Sequence, residues 1–476
     1  MAIKNFKTEV LIIGAGPSGY SAAFRCADLG LQTYLVESKD LLGGVCLNEG
    51  CIPSKTLLDI SKLINQNKKM TQKRIFEEIP KININEVCNW KQKVVNKIAD
   101  GLAIMAKYRK VTVIQGRAEF LNSHTITVQK DSIYATITFD KLIIATGSRP
   151  IDIPLSYNKD HRIWNSTTAL SVPFIPSRLL IIGGGIIGLE MATIYHSLGS
   201  QIDIIELSDQ LIPGLDKDLI EFFTKTIKNQ FNLRLNTKVI EIKSQNNGIE
   251  VIIQNKNRRS ESQIYDAILI AIGRKPNSDL INLKTIGIEL NDKGFIIVNQ
   301  QMRSNIPHIY AIGDIVSQPM LAHKGMHEGH IAAEVIAGKK HYFDAKVIPY
   351  IAYTDPEIAW IGINEKEANI KNIKYDVGIY PWSASGRALV SDHSNGITKL
   401  ISNKSNNLII GAGIVGHNCS EILGEIALAI EMQCNIEDIA LTIHAHPTLY
   451  ESIGISAQIM LGTVTDLLNK KRKPHP

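Results

Sequence analysis

Two cysteines, Cys46 and Cys51, stand five positions apart in the stretch Gly43-Gly44-Val45-Cys46-Leu47-Asn48-Glu49-Gly50-Cys51-Ile52-Pro53-Ser54-Lys55. Thiols at this spacing can close a very short disulfide loop and serve as a redox pair. Geometry limits how they do so. On an ideal helix five residues turn through about 500° and leave the Cα atoms roughly 8–9 Å apart. A disulfide needs them within about 7 Å. The chain is therefore expected to bend or leave the helix near Gly50. Pro53 lacks an N–H and suits a first helical turn, so a regular helix is expected from about Cys51. That puts Cys51 at the positive helix end with Lys55 one turn away, and both favour a thiolate. The spacing alone leaves open a structural disulfide or two unrelated buried cysteines.

A second constellation lies near the far end, in His444-Ala445-His446-Pro447-Thr448-Leu449-Tyr450-Glu451. A histidine close to an acid is what a general acid–base requires. Thr448-x-x-Glu451 equally fits a helix capping box, and the motif by itself does not choose.

These residues need elements to hold them. Thr8 to Ile13 reads as a short, apolar, β-branched buried strand. It runs into Gly14-Ala15-Gly16-Pro17-Ser18-Gly19, a small-residue helix to Gly30, and a second strand ending in Glu37. A lone GxGxxG could merely turn a tight loop. Here it sits between strand and helix with an acid 23 residues after Gly14, which marks a dinucleotide site. Glycines let the backbone approach a pyrophosphate at the helix N-terminus, and Glu37 can accept from ribose hydroxyls.

The unit recurs. Arg178 to Ile182 precedes Gly183-Gly184-Gly185-Ile186-Ile187-Gly188, and the next strand ends in Glu206, again 23 residues after Gly183. Glu206 would repel a 2′-phosphate, and Leu207-Ser208-Asp209 supplies no arginine to bind one. The second nucleotide should be NAD rather than NADP. Lys141 to Pro150 and Asp266 to Pro276 are matched apolar strands closing on glycine, arginine and proline, as in a duplicated unit. His308 to Gly313 is a further strand, and Asp314 at its end points at the ligand crevice. From about Lys346 the texture becomes a separate α+β domain without a nucleotide signature.

The composition excludes several classes. With 476 residues the chain has room for two to four domains, and 44% apolar with 21% charged residues is ordinary for a soluble protein. Lys470, Lys471, Arg472 and Lys473 carry four of the net +6 charges, leaving +2 elsewhere. That does not suggest a nucleic-acid-binding surface, and the tail is expected to be solvated. No signal peptide and no apolar stretch of about 20 residues is visible, so no membrane span is expected. Six cysteines in so long a chain are no disulfide scaffold. A disulfide surviving in a reducing compartment is usually catalytic, and the chain reads as cytoplasmic.

Together these motifs resemble the dihydrolipoamide dehydrogenases, the flavin-dependent E3 components within the pyridine nucleotide–disulfide oxidoreductases. The resemblance runs from Val10 to about Asp466, through Gly14–Gly19, the cysteine loop, Ala145–Gly147, Gly183–Glu190, Ala271–Pro276, Ala311–Asp314, Met320–Lys324 and His444–Glu451. It implies an α/β fold with two Rossmann-like domains. An FAD domain of residues 1–149 and 277–345 would be interrupted by an NAD domain of 150–276 and followed by an α+β dimerisation domain of 346–476. It further implies FAD on Gly14, Gly16 and Gly19, with Glu37 on its ribose and Gly116, Thr146, Gly147, Asp314 and Ala322 contributing. NAD would lie on Gly183, Gly185, Gly188, Glu206 and Gly273. Cys46 would be the interchange thiol that attacks lipoamide, and Cys51 the thiol beside the flavin. Lys55, paired with Glu190, would lie near the flavin. His446, oriented by Glu451, would be the acid–base reaching the cysteines of the other subunit of a homodimer. Cys26, Cys88, Cys419 and Cys434 match no motif and are expected to be small core residues.

Glutathione and mercuric reductases are the nearest rivals. Both use NADPH, for which Leu207-Ser208 is unsuited, and a terminal cysteine pair is absent from Lys470–Pro476. A non-catalytic assembly subunit would not need both the thiol pair and His446. No lipoyl domain or flexible linker precedes Met1, so the substrate arm is expected on another protein, the acyltransferase (E2) of a 2-oxo acid dehydrogenase complex.

Overall fold

The computed structural model describes residues 4–131, 133–155 and 160–468; the basic run Lys470–Lys473 lies outside them. Strand β1 (Lys4–Ile13) is buried on both faces over Val10–Ile13, as a central parallel strand must be. It starts before the expected Thr8 because Lys4–Thr8 pair with Ala135–Phe139, so the ladder carries polar residues that periodicity alone does not mark as strand. Helix α1 (Pro17–Asp28) follows with proline in its first turn. After β2 (Thr33–Glu37) come α2 (Gly44–Glu49), α3 (Cys51–Gln72) and α4 (Ile84–Tyr108). Then β3 (Thr112–Gln115), β4 (Arg117–Asn122), β5 (Thr125–Lys130) and β6 (Ile133–Ile144) complete the order β3-β2-β1-β6-β5-β4. Parallel pairing holds from β3 to β6, and β4–β6 form an antiparallel meander.

The chain leaves through β7 (Ser148–Pro150) into a second unit. It comprises β8 (Ile163–Trp164), α5 (Ser166–Ser171), β9 (Arg178–Ile182), α6 (Ile186–Ser197), β10 (Gln201–Ile205), α7 (Lys217–Ile227) and β11 (Phe231–Arg234). The meander β12 (Thr237–Gln245), β13 (Gly248–Asn255) and β14 (Ser260–Tyr265) precedes β15 (Ala267–Ile270). The parallel order is β11-β10-β9-β15-β8. On the way out β16 (Arg274–Pro276) pairs antiparallel with β7. Next β17 (Ile309–Ala311) joins the first sheet beside the C-terminal end of β6, Ile309 opposite Leu142. Helix α8 (Ala322–Ile336) then packs on α1, its Gly329 leaving a Cβ only 2.7 Å from Ser18 O.

A third, antiparallel sheet runs β18-β19-β22-β21-β20, from β18 (Tyr350–Ala352), β19 (Glu357–Gly362), β20 (Tyr375–Pro381), β21 (Ile397–Asn403) and β22 (Ile409–Gly416). Helices α9 (Glu365–Ile370), α10 (Gly386–Val390), α11 (Cys419–Glu431), α12 (Ile436–Leu441) and α13 (Glu451–Leu461) belong to it. Its core sets Ile414 and Tyr380 against Ile426 and Ile453.

One apolar cluster joins all three regions: Leu57 and Leu58 of α3, Leu189 and Tyr195 of α6, and Trp360 and Val415 of the third sheet. The helix that starts at Cys51 is thus seated on the second unit as well as the first. Truncating a buried leucine such as Leu58 to alanine costs about 2–5 kcal/mol. Of the four other cysteines, Cys26 and Cys419 are buried, but Cys88 and Cys434 are only half-buried at the edges of helical packing. Among the described residues no helix is long and apolar enough to cross a membrane.

Candidate active site

Cys46 and Cys51 form a disulfide with Cα atoms 4.8 Å apart. The backbone achieves this by breaking at Gly50 (φ −146°, ψ −106°), which separates α2 from α3. The bend falls where the spacing requires it, and the regular helix begins at Cys51. The unexpected part is that Cys46 is itself helical, on a single short helix packed over the start of α3.

Lys55, one turn into α3, donates to both oxygens of Glu190 at 3.0 Å. Glu190 is buried on α6 and also accepts the N–H of Tyr353 at 3.0 Å. The Tyr353 ring lies 4.6 Å from the Lys55 ammonium. Three regions of the chain therefore converge on one lysine, and a charge-assisted pair of this kind fixes its direction. Tyr353 carries no motif; only the seating of the third sheet on α6 brings it here.

A cavity of about 1120 Å³ runs past this cluster. Cys46, Cys51, Lys55 and Glu190 line it, and both glycine turns open into it. Gly14, Gly16, Glu37, Gly116, Thr146, Gly147, Asp314 and Ala322 lie on its walls, as do Gly183, Gly185, Glu206 and Gly273. Gly19 and Gly188 do not. They let the helices sit close: a Cβ there would come within 1.8 Å of Gly14 O and 2.1 Å of Gly183 O.

The acids at the strand ends behave alike. Glu37 accepts from Ala15 N at 2.8 Å and from Lys39 N at 2.9 Å. Glu206 accepts from Gly184 N at 2.7 Å and from Ser208 N at 2.8 Å. Each carboxylate closes its own glycine turn while facing the cavity, a role that the spacing alone did not reveal. Ser148, likewise unforeseen, donates to Asp314 Oδ2 at 2.6 Å. Arg274 donates in turn to Ser148 Oγ at 2.8 Å, its pKa lowered by burial.

The walls fit two dinucleotides. Where a Cβ on Gly185 would stand there is open space, and on Gly16 the nearest atom is 4.0 Å away, so backbone N–H groups are accessible to a pyrophosphate. Thr146 Oγ1, buried in the same wall, has no protein partner.

His446 and Glu451 do not line this cavity. His446 Nδ1 lies 2.8 Å from Glu451 Oε1, with the imidazole 80% exposed. Glu451 Oε2 accepts from Thr448 N at 2.6 Å, but Thr448 Oγ1 bonds Ala445 O and α13 begins only at Glu451. The capping box is therefore half made, and the same carboxylate orients the imidazole. His444 differs. It is nearly buried, bonded to Glu425 at 2.9 Å, and the hydrogen bond to Glu425 raises its pKa.

Residues 8–329 match the model of the pyridine nucleotide-disulphide oxidoreductases, and residues 348–457 match the dimerisation domain of the same group. The chain belongs to the pyridine nucleotide-disulphide oxidoreductase family. It is 56% identical to a dihydrolipoyl dehydrogenase of Vibrio cholerae over 99% of both chains. It is 40% identical to one of Bacillus subtilis over 96% of this chain and 97% of that one. The HOCl-induced flavoprotein disulfide reductase RclA of Escherichia coli, as its Cu(II) complex, superposes with a TM-score of 0.86 at 25% identity, over 95% and 99% of the two chains. This member of the family is a flavin disulfide oxidoreductase of the dihydrolipoyl dehydrogenase type, with FAD and NAD as cofactors.

Proposed function

We propose that the chain reoxidises protein-bound dihydrolipoamide with NAD+, as the E3 component of a cytoplasmic 2-oxo acid dehydrogenase complex whose E2 supplies the lipoyl arm. The observation that carries this is the Cys46–Cys51 disulfide beside Lys55 and Glu190, in one cavity with both glycine turns. Residues 1–149 and 277–345 are read as the FAD domain, 150–276 as the NAD domain and 346–476 as the homodimer interface.

His446, presented by one protomer to the disulfide of its partner, takes a thiol proton on Nε2. Glu451 faces Nδ1 and stabilises the resulting imidazolium. The substrate thiolate attacks Cys46 Sγ, and the Cys46–Cys51 bond breaks with its electron pair left on Cys51. The second substrate thiolate attacks the substrate sulfur of this mixed disulfide, closing the lipoamide ring and releasing Cys46 as thiolate. Cys51 is held as an anion by the α3 N-terminus and by Lys55. Bound FAD supplies the two-electron chemistry that links this dithiol to NAD+. Gly14, Gly16, Gly116, Thr146, Gly147, Glu37, Asp314 and Ala322 would hold FAD. Gly183, Gly185, Glu206 and Gly273 would hold NAD, while Gly19 and Gly188 keep the helix starts close.

The test is the purified protein. It should be yellow and reduce NAD+ with dihydrolipoamide, but not with NADP+ in place of NAD+, and it should not reduce oxidised glutathione. A colourless protein, or preference for NADP+ or glutathione, would overturn the reading.

A further inference from the structure

Helix α8 contributes Ala322 to the cavity wall, and its next turn holds an ion pair sealed from solvent. Lys324 Nζ lies 2.7 Å from Glu328 Oε1, with the side chains 4% and 3% exposed. Burying two charges is costly unless their remaining valences are used. Glu328 uses one: Oε2 accepts the N–H of Gly313 at 2.6 Å. Gly313 directly precedes Asp314, whose carboxylate is held from the other side by Ser148. Burial raises the pKa of Glu328, as does the facing Asp314, while Lys324 and the Gly313 N–H oppose them.

Packing gives the turn no slack. A Cβ on Gly313 would come within 2.3 Å of Ser18 Oγ, and one on Gly325 within 2.1 Å of the same atom. Ser18 lies in the first glycine turn, at the start of α1. The Asp314 turn, the α8 N-terminus and the pyrophosphate turn are thus pressed into one block, and Glu328 is the hydrogen-bonding anion inside it.

We propose that Glu328 is a positioning residue for FAD: through the Gly313 N–H it fixes Asp314 and the start of α8 against the first glycine turn, with Lys324 as its counter-ion. The inference rests on assigning Asp314 to the flavin side chain, and stands whatever thiol is the substrate. A turn that samples other conformations binds its ligand more weakly by the fraction of time it is misplaced.

FAD affinity, read from flavin fluorescence as FAD is titrated into the apoprotein, needs no turnover. The double variant Lys324→Met/Glu328→Gln removes both charges but keeps an amide oxygen for Gly313, and its Kd should stay within about threefold of the parent. Lys324→Met/Glu328→Leu removes that acceptor, and its Kd should rise about tenfold or more, with NAD affinity and the apoprotein melting temperature unchanged. Equal FAD affinity in the two double variants would overturn the proposal. Should the leucine variant not fold, hydrogen exchange on the parent holoenzyme decides. The Gly313 amide should be as protected as those of β17, and exchange at the rate of an open loop would overturn the assignment.

Discussion

The two nucleotide units share their binding grammar and differ in what lies between their second and third parallel strands. In both, a strand ends in glycine, the helix starts close to it, and an acid on the next strand closes the turn by accepting two N–H groups. After β2, however, the chain inserts α2, α3 and α4, and with them Cys46, Cys51 and Lys55. After β10 the same slot holds a loop and α7. There Lys399, buried on the third sheet, meets Asp218 at 2.8 Å and Asp216 at 3.1 Å. One insertion carries the reacting groups; the other anchors the unit. The units duplicate a way of binding nucleotides, and the chemistry was added to one copy.

If so, changes in the first insertion should abolish turnover without loosening either nucleotide. Cys46→Ser should bring dihydrolipoamide-dependent NAD+ reduction below detection while the protein stays yellow, checked by steady-state assay and absorbance. His446→Gln should follow with a loss of about 10²–10⁴-fold, flavin content and melting temperature unchanged. Normal turnover in either variant would remove the reacting groups from where the comparison puts them.

The acids test the shared part. Glu206→Gln should raise KM for NAD+ about 10-fold or more and leave FAD bound, because it weakens charge-assisted bonds to Gly184 and Ser208. Glu37→Gln should show the mirror image, weaker FAD and near-normal KM for NAD+. Equal effects of both changes on both nucleotides would mean that the units are not independent.

The smallest effect concerns the seams. Lys62 of α3 pairs with Glu357 at 2.5 Å and Asn65 with Asp355 at 3.1 Å, beside the stacked imidazoles of His393 and His417, 3.7 Å apart. Burial, then His417 and Lys69, depress the His393 pKa from 6.5 to about 4, against the pull of Asp355 and Asp392. The unfolded chain binds a proton here before the folded one does. The contribution of His393 is therefore intact above pH 6.5 and lost as pH falls from 6.5 towards 4. Partial exposure discounts it to about 1–2 kcal/mol. Thermal melts at pH 7 and 5 should show a smaller drop in His393→Asn than in the parent.

Much of this was legible in the sequence because it is local. Gly14 to Glu37 and Gly183 to Glu206 encode strand, turn, helix and strand within single stretches. Gly50 and Pro53 likewise declare the break and restart of a helix. The supports around these sites were not legible. Tyr353 reaches Glu190, and Glu328 reaches Gly313, only because distant segments pack together; no local pattern announces such contacts. Thr448 and Glu451 fit two readings equally, and the structure gives each a share: Glu451 serves both His446 and the Thr448 N–H.

The break at Gly50 has a consequence for the chain as a polymer. A ring closed across five residues removes little freedom from the unfolded ensemble, about 2 kcal/mol on the loop-entropy model. Folded domains typically hold about 5–15 kcal/mol in reserve. Here α2 and α3, not the sulfur bridge, define where the two thiols stand. The fold can therefore survive the opening and closing of this bridge at every catalytic cycle, which a cross-link across a long loop would not allow so cheaply.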